Sequence, residues 1–440
     1  MTVQGYDIKR FAECVKYDPA FAGRFSRNGA AVLEEYRING DPQTLARMLA
    51  SQKDLSNPDE TLIEDNPAFS DYCAFASNLR EASQGSRHVT MLSGNAFGDW
   101  HSRQKIRFEN QAPEGLAAEN SHIYFAVELS KGCSVGCPYC AGASGKLQGY
   151  YEFTEENCSL MLGMIRSIHR LADCSSPRGL LYCYTEPFDN PDYERFLQRY
   201  YESFGAIPQT TAADWMNHVE RTRKLLRWCL DHRAGIQRLS INSLDDFRLC
   251  MRSFGSEEFK NVLLACRYPE ADGVIYRAGR ARKKDNAVDG TSCCVTGFLI
   301  NMVDRSIKLV TPCIEPDKWP CGYRIIASGK FETEADFGAF LDWCTEHVFN
   351  KAFDGETKPL LRGDFSVKQG SGEVCLLSRY KKFTFRKPLE KELVLRLDGK
   401  KTLDDITRQF DENAGEAYTF LQLLWDEGLL AEPEGLTAER

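Results

Sequence analysis

IYFAVELSKGCSVGCPYCAG (123–142) is the stretch on which the reading of this chain turns. IYFAVEL (123–129) has the apolar, β-forming character of a buried strand. It runs directly into Cys133, Cys137 and Cys140, spaced C-x3-C-x2-C. Three thiolates on one tight loop can hold three irons of a [4Fe–4S] cluster, leaving the fourth iron open to a chelating cosubstrate. Gly132, Gly136 and Pro138 allow the sharp turns, and Tyr139 offers a ring edge beside the metal. A zinc knuckle completed by a distant Cys or His is the competing reading.

Outward from that stretch, β-rich runs alternate with helical patterns from about 120 to 330. TEENCSLMLGMIRSIHRL (154–171) reads as a helix, GLLYCYT (179–185) as a strand and NPDYERFLQRYYESF (190–204) as a helix. AIPQTT (206–211), GIQRLSIN (235–242) and NVLLACR (261–267) read as further strands, with helices over 212–232 and 244–254 between them. This alternation predicts an α/β fold of parallel strands with crossover helices, a barrel or an open sheet. FLINMVD and RSIKLVTPC (298–313) read as a hairpin turning at Asp304–Arg305, whose second strand borders the barrel.

The flanks differ. Residues 1–90 read as a helical accessory domain. In FAECVKYDPAFAGRF, Phe11, Val15, Phe21 and Phe25 recur roughly by helical turns, and Asp41–Pro42 opens another helix. SQKDLSNPDETLIEDNP (51–67) is polar and proline-bearing, a linker, and 91–119 reads as a second linker. Residues 331–363 form a helical connector. From 364 to 440, a β meander with a Gly-rich turn precedes three short helices, a winged-helix-like shape.

The chain has 440 residues, 42% hydrophobic and 27% charged, as in ordinary globular proteins. With 55 Lys+Arg against 63 Asp+Glu the net charge is −8, which argues against a nucleic-acid partner. No apolar run approaches the roughly 18–20 residues of a membrane span, and the N-terminus lacks a signal-peptide pattern, so a cytoplasmic location is expected. Seventeen cysteines in a reducing compartment point to metal binding or catalysis for some, not to a disulfide framework.

The cysteine motif resembles that of the radical S-adenosylmethionine (radical SAM) superfamily. YTEPFDNPDYERF (184–196) resembles the family's GGEP segment, with Thr185–Glu186–Pro187 in place of the two glycines and Glu–Pro. SINS (240–243) resembles its fourth-strand polar segment. The resemblance implies a partial (β/α)6 TIM-type barrel over 120–330 with its site at the strand carboxyl ends. It also implies a [4Fe–4S] cluster on Cys133, Cys137 and Cys140, and S-adenosyl-L-methionine on the open iron. Tyr139, Glu186, Thr211, Ser240 and Asn242 are the implied cosubstrate contacts, with Glu186 receiving the methionine ammonium.

LVLRLDGKKTLDDITRQF and FLQLLWDEGLL resemble the PqqD-like recognition element of ribosomally made, post-translationally modified peptide (RiPP) pathways. That element binds a precursor's leader as an added strand beside a helix. With AGRAR (278–282), GFLINMVDRSIKLVTPC and CGYRI, the chain looks most like the proteusin-type radical SAM peptide epimerases. The resemblance implies conversion of L-residues to D-residues in a ribosomal precursor peptide, by Cα hydrogen abstraction and hydrogen return from a thiol. An electron donor such as flavodoxin or ferredoxin is implied as well. Cys313 leads as the donor thiol because it closes a strand whose carboxyl end should face the barrel mouth; Cys321 and Cys375 follow. Cys344 reads as core. Cys293, Cys294, Cys313, Cys321 and Cys344 are enough thiols to make a second cluster thinkable. The alternatives are another radical SAM peptide maturase (splicease, cyclophane or thioether former) and a non-enzymatic iron–sulfur adaptor.

Overall fold

The computed structural model describes residues 4–51, 70, 72–73, 95–113, 115–116, 120–174, 179–271, 273–350 and 353–438. It is a mixed α/β structure with parallel strands at its centre.

Helices α1 (Gly5–Tyr17), α2 (Phe21–Arg27), α3 (Gly29–Glu35) and α4 (Pro42–Ser51) open the chain. Phe11 packs edge-on against Phe21 and Phe25, at 5.5 and 5.1 Å between ring centres. Residues 52–67 of the first expected linker lie outside the described residues. The second one, 91–119, carries a helix, α5 (Ala96–Glu109). Its buried face includes His101 and Gln104 beside Phe97, Trp100 and Phe108, so its apolar period is broken in the sequence. His101 Nε2 lies 2.9 Å from the His122 carbonyl, which anchors α5 to the sheet.

The central strands and helices follow in order. They are β1 (Ile123–Glu128), β2 (Ser130–Lys131), β3 (Gly149–Tyr150), α6 (Glu155–Ala172), β4 (Gly179–Leu180), α7 (Tyr193–Phe204) and β5 (Thr211–Ala212). Then come α8 (Val219–Asp231), β6 (Gln237–Ile241), α9 (Leu244–Ser253), β7 (Val262–Cys266), β8 (Val295–Asn301), β9 (Ser306–Pro312), β10 (Tyr323–Lys330) and α10 (Glu334–Cys344). Thr154 caps α6 as its sequence suggests, its hydroxyl accepting from Asn157 N at 3.0 Å. α9 carries Arg248, which donates to the buried Asp18 carboxylate at 2.8 and 2.9 Å and so fastens the N-terminal helices to the central layer.

The parallel strands form two ladders among the described residues. One sheet runs β5–β6–β7; the other runs β10–β9–β8–β1–β4, with a short strand beyond β10. GLLYCYT pairs only at Gly179 and Leu180, so the strand expected there is short. Tyr182 Oη reaches across to Thr211 Oγ1 at 2.6 Å, joining the end of β4 to β5 without a ladder. β8 follows β7 in the chain yet pairs parallel with β1, on the side away from β4. β9 returns antiparallel along β8, as the hairpin reading requires, with Arg305 at φ +50° in the turn.

The C-terminal unit has its own apolar core around Leu376, Leu393, Leu421 and Leu424. β11 (Ser366–Gln369), β12 (Val374–Leu377) and β13 (Lys382–Phe385) form an antiparallel meander. α11 (Pro388–Val394), α12 (Leu403–Thr407) and α13 (Ala414–Asp426) follow. Beyond them β14 (Leu436–Thr437) leaves the unit and joins the edge of β10. Buried Glu432 accepts from Arg103 Nε of α5 at 2.6 Å and lies 3.6 Å from buried Arg324.

Candidate active site

The three motif cysteines occupy the loop between β2 and β3, whose pairing closes its base. Cys133 N donates to the Gly145 carbonyl at 3.0 Å and Gln148 N to Lys131 at 2.8 Å. Gly132 sits at φ +79°, where a side chain would collide with the backbone of Lys146. Backbone N–H groups face the sulfurs: those of Val135 and Gly136 at Cys133, Tyr139 at Cys137, Gly142 and Ser144 at Cys140. The Cys137 and Cys140 thiols share a hydrogen bond that pushes Cys140 down to about 5, helped by the Gly142 and Ser144 amides and the Arg280 guanidinium against burial. Among the described residues no three metal-competent side chains converge on one point. The donor set itself, three soft sulfurs with N–H groups aimed at them, fits an iron–sulfur group.

The structure brings the Thr185–Glu186–Pro187 segment against this loop. Ser134 N donates to Asp189 Oδ2 at 2.9 Å, and Ser144 Oγ donates to the Tyr184 carbonyl at 2.5 Å. Nothing in the sequence of 184–196 marks Asp189 for this contact. Glu186 is buried, and its Oε1 and Oε2 accept from Phe188 N at 3.3 Å and Ala213 N at 2.8 Å. Burial first, then Asp189 and Asp214, push its carboxyl up to about 8 against those two N–H groups. Among the described residues no Lys, Arg or His pairs with it, and a carboxyl so placed would be relieved by a cation.

Ser240 and Asn242 stand at the carboxyl end of β6, whereas Thr211, expected to close a strand over 206–211, begins one and pairs level with Arg238 near the start of β6. Thr211 opens β5, one residue before Ala212 and two before the amide that holds Glu186. Trp215 Nε1 donates to the Ser240 carbonyl of β6 at 3.0 Å, and Asn242 follows β6. Tyr139 points elsewhere. Its ring packs with Ile275, Ala281 and Ala287, with Lys284 Nζ 4.2 Å from the ring centre.

The candidate thiols separate. β9 runs antiparallel to β8 and β1, so its carboxyl end lies at the amino ends of those strands: Val310 pairs with Gly297, whereas Ser306 pairs with Asn301. The strand-end reason for choosing Cys313 therefore does not hold. Cys313 is buried, and burial reinforced by Glu315 pushes its thiol up. Cys375 faces away from the core of the C-terminal meander, 3.6 Å from Thr384 Oγ1. Cys321 meets the cysteine loop, with Sγ donating to the Gly142 carbonyl at 3.5 Å. Its neighbour Tyr323 stacks on Tyr184 at 5.6 Å between ring centres. Cys344 is buried in the main core as expected. No three of the remaining thiols form a metal-competent group among the described residues.

No protein-family model matches the chain. It is 31% identical over 352 residues to the uncharacterized protein y4wI of Sinorhizobium fredii, an alignment covering 75% of this chain and 67% of that protein. The chain belongs to the family of y4wI. Among solved structures it is similar to BtrN in complex with AdoMet and 2-DOIA, with a TM-score of 0.31 and 18% identity, over 42% of this chain and 72% of that one. No helix among the described residues is long and apolar enough to cross a membrane.

Proposed function

We propose that the chain is a radical SAM peptide epimerase that inverts L-residues of a ribosomal precursor peptide, its two parallel ladders forming the arc of a partial barrel. The observation that carries this reading is the docking of the C-x3-C-x2-C loop on the Glu186 turn, with a third element supplying the Cys321 thiol at Gly142. A [4Fe–4S] cluster on Cys133, Cys137 and Cys140 would supply, with S-adenosylmethionine, the one-electron chemistry that generates a hydrogen-abstracting radical.

The chain's own residues do the rest. Glu186, raised by burial, is relieved by an ammonium, which supplies the missing charge. Ser240 and Asn242 stand at the end of β6, where a ribose and carboxylate would lie, with Thr211 on the neighbouring β5. Cys321 gives a hydrogen atom to the Cα radical on the face opposite abstraction. Its sulfur then needs one electron from the external donor and one proton from solvent before the next turnover. The C-terminal unit is the proposed leader-binding element, with its meander edges open to an added strand.

Anaerobic reconstitution tests the core of the reading. Wild-type protein should hold about four irons per chain, and its reduced spectrum should change on adding S-adenosylmethionine. Replacing Cys133, Cys137 and Cys140 by Ala should abolish both iron binding and cosubstrate cleavage. Undiminished cleavage in that triple variant would refute it.

A further inference from the structure

The segment Ile275–Gly290 contains AGRAR, a run that the chemistry above leaves without a task. At one end it grips the cysteine loop. Arg280 N donates to the Cys140 carbonyl at 2.9 Å. Arg280 Nη1 donates to the Cys137 carbonyl at 3.0 Å, and Nη2 donates to the Ser144 carbonyl. Gly279, at φ +55°, lies so close that a Cβ would run into the carbonyls of Cys140 and Ala141. Lys284 and Tyr139 add a cation–π contact. One guanidinium thus spans two carbonyls of the loop, a fork geometry that lysine does not reproduce.

At its other end the same segment is gripped by the C-terminal unit. Asp289 Oδ2 accepts from the Tyr380 hydroxyl at 2.6 Å and pairs with Arg379, both in the β12–β13 turn. Its Oδ1 accepts from Arg277 Nε at 3.2 Å. Arg277 in turn donates to the Ala287 carbonyl at 2.5 Å, and its N–H to Val288 at 2.7 Å, closing the segment on itself. Beside this tie a cavity of about 590 Å³ opens between the segment and the turn, bordered by Arg282, Lys283, Ser378 and Arg379.

We infer that Ile275–Gly290 is a clasp in which Arg280 positions the cysteine loop and Asp289 lets the C-terminal unit set that position. Arg280 and Asp289 are positioning residues: they act through the carbonyls of Cys137, Cys140 and Ser144. The inference rests on the proposed function only for the identity of the metal group; the mechanical linkage stands on the contacts alone.

Hydrogen exchange on the full chain without metal tests it, read at the amides of 133–148 and, as an internal reference, at β8. Arg280→Gln should speed exchange across 133–148 about fivefold to tenfold, the change expected when one or two local hydrogen bonds are lost. Arg280→Lys should recover only part of that protection. Asp289→Asn should speed the same amides roughly twofold to fivefold, and Tyr380→Phe should act in the same direction with a smaller change. β8 should be unaffected throughout. Wild-type exchange at 133–148 in Asp289→Asn, or a rise that includes β8, overturns the linkage; full recovery by Arg280→Lys overturns the fork. Iron retained after anaerobic reconstitution is the second readout, and Arg280→Gln should retain less than wild type. Wild-type protein that binds no iron would fail the proposed function while leaving the exchange result to decide the clasp.

Discussion

The cysteine loop after β1 and the bend between β9 and β10 each follow a strand of the same sheet and each present thiols. They differ in strand direction. β1 runs parallel to β4 and β8, so its following loop lies at the common carboxyl edge with the Glu186 turn. β9 runs antiparallel, so Cys313 sits at the opposite edge, buried. Cys321 lies in the same bend at the same edge, Cys313 N donating to the Gly322 carbonyl at 3.1 Å, but it is only partly buried and meets the cysteine loop at the Gly142 carbonyl, beside the Tyr184–Tyr323 stack. Being the last residue of a strand carries chemical meaning only once the strand's partner and direction are known.

The comparison yields a sharp contrast between variants. Cys321→Ala should abolish D-residue formation while cosubstrate cleavage continues, whereas Cys313→Ala should keep inversion within about twofold of wild type, as expected of a substitution away from the reacting atoms. Equal loss in both would remove the distinction between the two thiols of the bend.

Glu186→Gln should weaken cosubstrate binding by roughly tenfold to a hundredfold, since a hydrogen bond to a charged partner is worth about 1.5–3 kcal/mol. Equilibrium binding to the reconstituted protein checks it; unchanged affinity would leave Glu186 as a cap of the Pro187–Asp189 turn and nothing more.

Glu432→Ala should cost about 1–3 kcal/mol, because it removes the carboxylate shared by Arg103 and the buried Arg324, while Arg324 keeps Gln104 at 2.6 Å and Glu434 at 3.8 Å. Burial tends to raise the Glu432 carboxyl, and Arg103, Arg324 and Arg107 outweigh it and hold it below its ordinary value. Its contribution is therefore present above the usual carboxylate range and lost as pH falls through its lowered folded value. A thermal melt within one degree of wild type would contradict the role of this tie between the C-terminal tail and the main sheet.

A further effect is a slope. Glu186 holds its proton to about 8 in the folded chain but releases it near 4.5 when unfolded. Its contribution is complete below 4.5 and is lost as pH rises toward 8. Wild-type protein should lose more stability between pH 5 and 8 than Glu186→Gln does, measured by chemical denaturation at each pH.

What the sequence made legible follows from range. Thr154, the Asp304–Arg305 turn and the C-x3-C-x2-C loop are set by residues within a few positions of one another, and each stands where local chemistry puts it. α5 was hidden because His101 and Gln104 face the core and interrupt its apolar stripe. The pairing of β8 with β1 was hidden because both strands are buried along nearly their whole length, and such strands carry no mark of their neighbour. The partners of Glu186, Asp189 and Arg280 are backbone groups on distant segments, which leave no trace in side-chain pattern.

The most direct test of the account is co-expression of the chain with its precursor peptide in deuterated water, followed by hydrolysis and chiral amino-acid analysis. The account predicts D-residues that each carry one solvent-derived deuterium at Cα, an otherwise unchanged peptide mass, and loss of both signals in Cys321→Ala. A precursor whose mass changes by a new bond or a lost fragment, with every residue still L, would contradict it.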